Sequence, residues 1–161
     1  MRKTRQRVAI PRPGEGKRGE QGYFGYLLRQ ASAAHRLQLE RALADIDVTP
    51  PQFVVLTMLA AYPGASNAEL ARLTLLTPQT VNVIVANLER AGALVRKPHE
   101  VHGRILEIEL TDKGKKLLGA SRERAHGVEG ELVKGLSAEE QKIVRRWLAQ
   151  VARGGLEQGS Q

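Results

Sequence analysis

The stretch Thr77–Ala91, TPQTVNVIVANLERA, puts two unlike faces on one helix. Val81, Ile84, Val85, Leu88 and Ala91 recur at helical spacing and make an apolar stripe. Gln79, Asn82, Val83, Ala86, Asn87 and Arg90 stand on the other side. They are short, mostly polar groups with one cation, able to lie flat on a surface and still offer amide donors and acceptors. Thr77 supplies an N-cap hydroxyl, and Pro78 takes the first helical position, where no N–H is needed. Just upstream, Ser66-Asn67-Ala68-Glu69 fits a capping box ahead of Leu70, Ala71 and Leu73. Thr74, Leu75 and Leu76 separate that helix from the next cap, the length of a helix-turn-helix connection. In such a pair the first helix crosses a nucleic-acid backbone and the second enters a major groove. Tight helix pairs also occur in all-α proteins that never touch DNA, so the flanking sequence has to decide.

It does so just after Gly92, itself well placed as a helix C-cap. There the apolar period changes from helical to two. Leu94-Val95-Arg96-Lys97 reads as a short strand and Pro98 to Gly103 as a polar loop. In Arg104 to Leu110, Leu106, Ile108 and Leu110 alternate with Ile105, Glu107 and Glu109, the pattern of a half-buried antiparallel strand. Two strands with a basic loop directly behind a helix-turn-helix make a winged helix. Its wing can reach a minor groove while the helix holds the major groove.

Helices flank this unit on both sides. One is expected from Tyr23 to Ala44, with Tyr23, Leu27, Ala31, Ala34 and Leu37 on one side. Another runs from Pro51 to Ala61 behind Thr49-Pro50, burying Phe53, Leu56, Leu59 and Ala60, and ends at Tyr62-Pro63-Gly64. Thr111-Asp112 caps a helix weakened by Gly119, Gly127 and Gly130, which needs tertiary or partner packing to survive. Ser137-Ala138-Glu139-Glu140 opens a last helix carrying Ile143, Val144, Trp147, Leu148 and Val151, with Gly154-Gly155 as its end. The helices at the two ends, about 21–45 and 112–152, suit a dimer interface, since half-site recognition favours two-fold symmetry. The expected organisation is a domain over 21–153 with a DNA-binding lobe at about 49–111, and a polar tail over 154–161. The fold class is mostly α: a winged helix-turn-helix with a two-stranded wing and a helical dimerisation region drawn from both chain ends.

Composition narrows the function. The chain has 161 residues, a formal net charge of +8 and no cysteine. Disulfides, thiolate metal sites and cysteine nucleophiles are thereby excluded. No apolar run approaches the ~20 residues of a membrane span, and the first residues lack the apolar core of a signal peptide. A cytoplasmic protein with no membrane partner is expected. Arg2, Lys3, Arg5, Arg7, Arg12, Lys17 and Arg18 against Glu15 and Glu20 place five of the eight net charges in residues 1–20. With Pro11, Pro13, Gly14, Gly16 and Gly19, this segment reads as a disordered basic arm, either a solubilising tail or a clasp for DNA phosphates.

Taken in order, residues 23 to 152 resemble the MarR family of bacterial transcription regulators. The resemblance is most specific in Leu88-Glu89-Arg90-Ala91-Gly92-Ala93-Leu94-Val95-Arg96, the wing Arg104, and Leu110-Thr111-Asp112-Lys113-Gly114. It implies a triangular helical homodimer joined by its first and last helices. It also implies repression at palindromic operators, with release by a small aromatic or anionic effector. By position, Thr77, Gln79, Thr80, Asn82, Val83 and Asn87 would face the major groove, and Arg104 would enter the minor groove. Arg96 would support the wing or touch phosphate, Lys97 and Lys113 would contact phosphate, and His102 would sit beside Arg104. His102 stands where family members often carry an aspartate, and Val83 and Asn87 where they often carry arginine, so this recognition surface is less cationic. The implied effector pocket would draw on His35, Phe53, Met58, Arg122 and His126.

Rival readings are weaker. His99-Glu100-Val101-His102 lacks a third and fourth ligand for a metal, and no cofactor is expected. No Gly-rich phosphate loop, nucleophile triad or paired carboxylates in an apolar setting suggest an enzyme. The remaining alternative is a winged-helix protein–protein adaptor that binds DNA only non-specifically, through its basic arm.

Overall fold

The structure is a computed structural model and describes residues 9–98 and 106–157, with side chains to residue 154. His99 to Ile105, including His102 and Arg104, lie outside the described residues. The helices are α1 (Phe24–Leu43), α2 (Pro50–Ala61), α3 (Asn67–Thr74), α4 (Pro78–Arg90), α5 (Asp112–Leu132) and α6 (Ala138–Glu157). Strands β1 (Leu94–Pro98) and β2 (Leu106–Leu110) pair antiparallel between α4 and α5, with Leu94 opposite Leu110 and Arg96 opposite Ile108. Among the described residues, no single helix is long and apolar enough to cross a membrane. The architecture is the mostly helical winged helix-turn-helix expected from the sequence.

The caps explain where the helices begin. The Thr49, Ser66 and Thr77 hydroxyls accept from the backbone N–H groups of Gln52, Glu69 and Thr80. Gln52 and Glu69 reach back to close full capping boxes, and Ser137 with Glu140 does the same ahead of α6. Gly92 adopts φ +75°, the left-handed conformation that lets the chain leave α4 and enter β1.

Burial is concentrated in the DNA-binding lobe. Val55, Leu56 and Leu59 of α2 meet Leu70 of α3, Val81, Val85 and Leu88 of α4, Ile108 of β2 and Leu118 of α5. A smaller cluster of Leu39, Leu43, Val48 and Ala125 lies under the junction of α1 and α5, with Phe53 and Leu117 packed against both. The loop after α2 is tied to the wing, since the Gly64 N–H donates to the Ile108 carbonyl and the Ile108 N–H to that of Ala65.

The stripe of Tyr23, Ala31, Ala34 and Leu37 is exposed in this chain, and two expectations are corrected. Only the C-terminal end of α1, at Leu39 and Leu43, reaches the core where α5 and the start of α2 cross it. Residues 9–22 form turns instead of a disordered arm. Arg18 donates to the Pro11 carbonyl (2.8 Å) and exchanges bonds with Gln30 of α1, while Gly19 is buried. Finally, α6 continues through Gly154 and Gly155 to Glu157, because α-helical hydrogen bonding outlasts two glycines in an established helix.

The glycine of Leu110-Thr111-Asp112-Lys113-Gly114 has a steric cause. A Cβ on Gly114 would stand 2.0 Å from the Ala93 carbonyl oxygen. Gly119 of the same helix has nothing within 4 Å of its Cβ position. Gly114→Ala should therefore destabilise by about 1–3 kcal/mol through overpacking. Gly119→Ala should stabilise by about 0.5–1 kcal/mol through helix propensity. Denaturant unfolding of both variants checks this, and equal effects would refute the steric account.

The Arg124 guanidinium grips Asp45 just beyond α1, Nε donating to Oδ1 (2.7 Å) and Nη2 to Oδ2 (2.6 Å). This hydrogen bonding holds the Asp45 carboxyl below its ordinary value of 3.8. A depressed folded-state value means that the pair stabilises fully above 3.8 and loses that contribution as pH falls below it. The stability gap between parent and Asp45→Asn should hold steady from neutral pH to about pH 5 and close below 3.8, measured as Tm against pH.

Candidate nucleic-acid interface

The two faces read from the Thr77–Ala91 stretch are realised in α4. Val81, Ile84, Val85 and Leu88 are buried against α2 and α3, while Gln79, Thr80, Asn82, Val83 and Asn87 are exposed. Val83 leaves 56% of its surface open, unusual for a β-branched apolar residue in mid-helix. The α3–α4 turn is made by Leu75 at φ +55°, a left-handed residue without the usual glycine. Thr77 is committed to the cap: its Oγ accepts from the Thr80 N–H (3.1 Å) and lies 2.8 Å from the Thr80 Oγ. Asn87 Oδ1 accepts from Arg90 Nη1 (3.0 Å).

The cations expected to meet phosphate each have a partner within the chain. Arg96 Nε stands 3.1 Å from Glu89 Oε2, an ion pair that braces β1 against the end of α4. Lys97 pairs with Glu109 across the wing, and Lys113 Nζ donates to the Ala91 carbonyl (2.7 Å) at the C-terminus of α4. The Lys97 and Lys113 contacts are exposed, worth little in water and readily exchanged, while Arg96 is half-buried. These contacts hold the three side chains beside α4 and along the wing, where a duplex lying on α4 would meet them.

One residue of this surface went unsuspected. Asn67, in the first turn of α3, donates its Nδ2 to Asn82 Oδ1 (2.5 Å) across fifteen residues of sequence. No local spacing signals such a contact, because it exists only once α3 has packed on α4. The neighbouring capping box leaves its own mark, since bonds from the Ser66 backbone and hydroxyl hold the Glu69 carboxyl below its ordinary value.

The residues considered for an effector are spread out. Phe53 and Met58 are half-buried and packed on the core, and His126 is exposed on α5. His35 Nε2 lies 3.5 Å from Glu129 Oε1, an α1–α5 pair without hydrogen-bond alignment. Arg122 lines a groove of about 500 Å³ together with Leu59, Pro63, Glu109, Lys115 and Leu118. A second, largely apolar groove of about 480 Å³ runs between α1, α5 and α6, bordered by Phe24, Leu28, Leu132, Val144, Trp147 and Leu148. Among the described residues no cluster of three or more histidines and carboxylates is placed to hold a metal ion.

A sequence model of the MarR family matches residues 46–105. The HTH-type transcriptional repressor Rv2887 of Mycobacterium tuberculosis is 36% identical over 125 residues, covering 78% of this chain and 90% of the relative. A crystal structure of that protein with salicylic acid superposes with a TM-score of 0.66 at 34% identity, covering 82% of this chain and 98% of the other. The S. aureus MepR–DNA complex superposes with a TM-score of 0.75 at 26% identity, covering 84% and 98%.

Proposed function

The chain belongs to the MarR family, and we propose that it is a homodimeric, sequence-specific repressor of transcription. In this reading it acts in the cytoplasm, holds a palindromic operator and leaves it when a small aromatic or anionic effector binds. The observation that carries the reading is the open face of α4, where Gln79, Asn82 and Val83 project beside a wing that starts from the end of the same helix. Gln79 and Asn82 offer amides to base edges and Val83 a surface for a thymine methyl. Thr77, Thr80 and Asn87 flank them, Arg96, Lys97 and Lys113 are assigned to the wing and phosphate, and Arg104 with its neighbour His102, outside the described residues, to the minor groove.

Dimerisation is supported by what the single chain leaves bare. Phe24 at 79% exposure and Ile143 at 57% belong to one apolar surface that also includes Trp147, Leu148 and Val151. Such a surface, drawn from both chain ends, suits a two-fold partner. For the effector, the groove beside Arg122 joins the apolar walls of Leu59, Pro63 and Leu118 to the cations Arg122 and Lys115. That combination fits a small aromatic carboxylate, the class of ligand carried by the Rv2887 complex.

Selection of bound sequences from a random DNA pool at physiological salt tests the reading. Full-length protein and a variant lacking residues 1–8, upstream of the turns packed on α1, should enrich the same palindrome. Arg104→Ala should weaken operator binding with the dimer intact by sedimentation, and Asn82→Ala should reduce discrimination at one base by ~1–3 kcal/mol. Binding of operator and random DNA like the parent's by both variants would overturn the assigned surface. Unenriched binding that vanishes with residues 1–8 would favour an adaptor. Salicylate should lower operator affinity of the parent at least tenfold more than that of Arg122→Ala, and equal responses would remove that groove from the account.

A further inference from the structure

The bond between Asn67 and Asn82 has a direction, and the direction determines what α4 shows to a base. Asn82 accepts through Oδ1, so its Nδ2 hydrogens are left for whatever lies on the helix. An asparagine amide is nearly symmetric in shape, and its neighbours decide which end points where. The neighbours of Asn67 are decisive. Its own Oδ1 is buried and accepts no hydrogen bond among the described residues. Asn67 lines a cavity of about 270 Å³ with Ser66, Ala68, Arg96, Leu106 and Ile108, of which Arg96 alone is charged. The Arg96 Nε is also buried there without an aligned hydrogen bond, despite its ion pair with Glu89.

A guanidinium only donates, so a carbonyl oxygen on that cavity is stabilised and an amide NH2 in its place would set donors against donors. The cation sharing this cavity favours the carbonyl end of the Asn67 amide there, and the bond from Asn67 in turn sets the amide of Asn82.

We propose that Asn67 is a positioning residue for base recognition, turning Asn82 so that it presents donors and reads an acceptor edge. This rests on the proposed placement of α4 in a major groove. A bidentate grip on adenine needs both ends of the asparagine amide, to receive N6–H and to donate to N7. With one lone pair of Oδ1 taken and its direction fixed by α3, that grip is weakened. Guanine, with O6 and N7 both accepting, is the best match, followed by thymine through O4. Cytosine, offering only its N4 donor, is the worst.

The test reverses the switch. In Asn67→Asp the carboxylate can only accept, so Asn82 must turn its Nδ2 inward and present Oδ1 outward. Aspartate at the first position of α3 is also favourable to the helix dipole, so the fold is expected to stand, checked by Tm and by dimer sedimentation. Binding-site selection is run on the parent, Asn67→Asp, Asn67→Ala and Asn82→Ala, the last identifying the base that Asn82 contacts. At that base the parent should enrich guanine or thymine. Asn67→Asp should shift the ratio of guanine plus thymine to adenine plus cytosine by about tenfold or more toward the latter. Asn67→Ala, which frees the amide to turn either way, should level the two. A merely structural role for Asn67 would lower affinity for all sequences and leave the base profile unchanged. That profile, found in Asn67→Asp with a palindrome still enriched, overturns the inference alone. A parent that enriches no sequence overturns the regulator reading and this inference together.

Discussion

Where α4 ends, the carbonyls of Ala91, Gly92 and Ala93 point away from the helix with no intrahelical partner, and the start of α5 takes up all three. Lys113 Nζ donates to Ala91, the Thr111 hydroxyl to Gly92 and the Thr111 N–H to Ala93. Gly114 then lets the backbone of α5 rest directly on the Ala93 carbonyl. Of the three, only Ala93 is buried, and its carbonyl is the one met by a backbone N–H. The consequence is geometric. α4, the first strand of the wing and the long helix α5 leave one joint, tied by one backbone bond, two side-chain bonds and the close rest of Gly114 on Ala93.

This joint also explains why so much of the fold could be read from the sequence. Caps, proline at a helix start and glycine at a helix end act within a few residues, so Thr77-Pro78, Ser66 to Glu69 and Gly92 mark their own positions. The alternation of Leu106, Ile108 and Leu110 gave the wing its inner face for the same reason, with Ile108 buried as the pattern demands. What escaped depends on approach between distant segments. Leu75 carries no signal that it adopts a left-handed conformation, since the turn is imposed by the packing of α3 on α4. Asn67 and Asn82 sit fifteen residues apart, and each alone reads as an ordinary exposed amide. The apolar spacing of the first helix is real, but periodicity says only that a face is apolar, not what covers it.

The two ends of the chain are accordingly different in kind from its middle. The lobe around α2 is self-sufficient, with Val55, Leu56, Leu70, Val81 and Val85 buried without help. The arms are held to it by the Leu39, Leu43 and Ala125 cluster and the Asp45–Arg124 grip, and otherwise expose Phe24, Ile143 and Trp147 to solvent. α6 is strongly two-sided and α5 is interrupted by glycines in its solvent-facing half, so neither helix is stabilised mainly from within.

The electrostatics of the recognition surface follow from the same economy of partners. Arg96, Lys97 and Lys113 are matched to Glu89, Glu109 and the end of α4, while the exposed row of α4 itself is amide, hydroxyl and methyl. Neutral groups contribute little long-range attraction to a polyanion. They contribute a great deal to discrimination, because a hydrogen-bonding edge left unmatched costs more than a misplaced surface charge. On such a surface the direction of a single amide outweighs the presence of another cation. A second-layer residue that sets that direction is then as much a part of recognition as the side chain that touches the base.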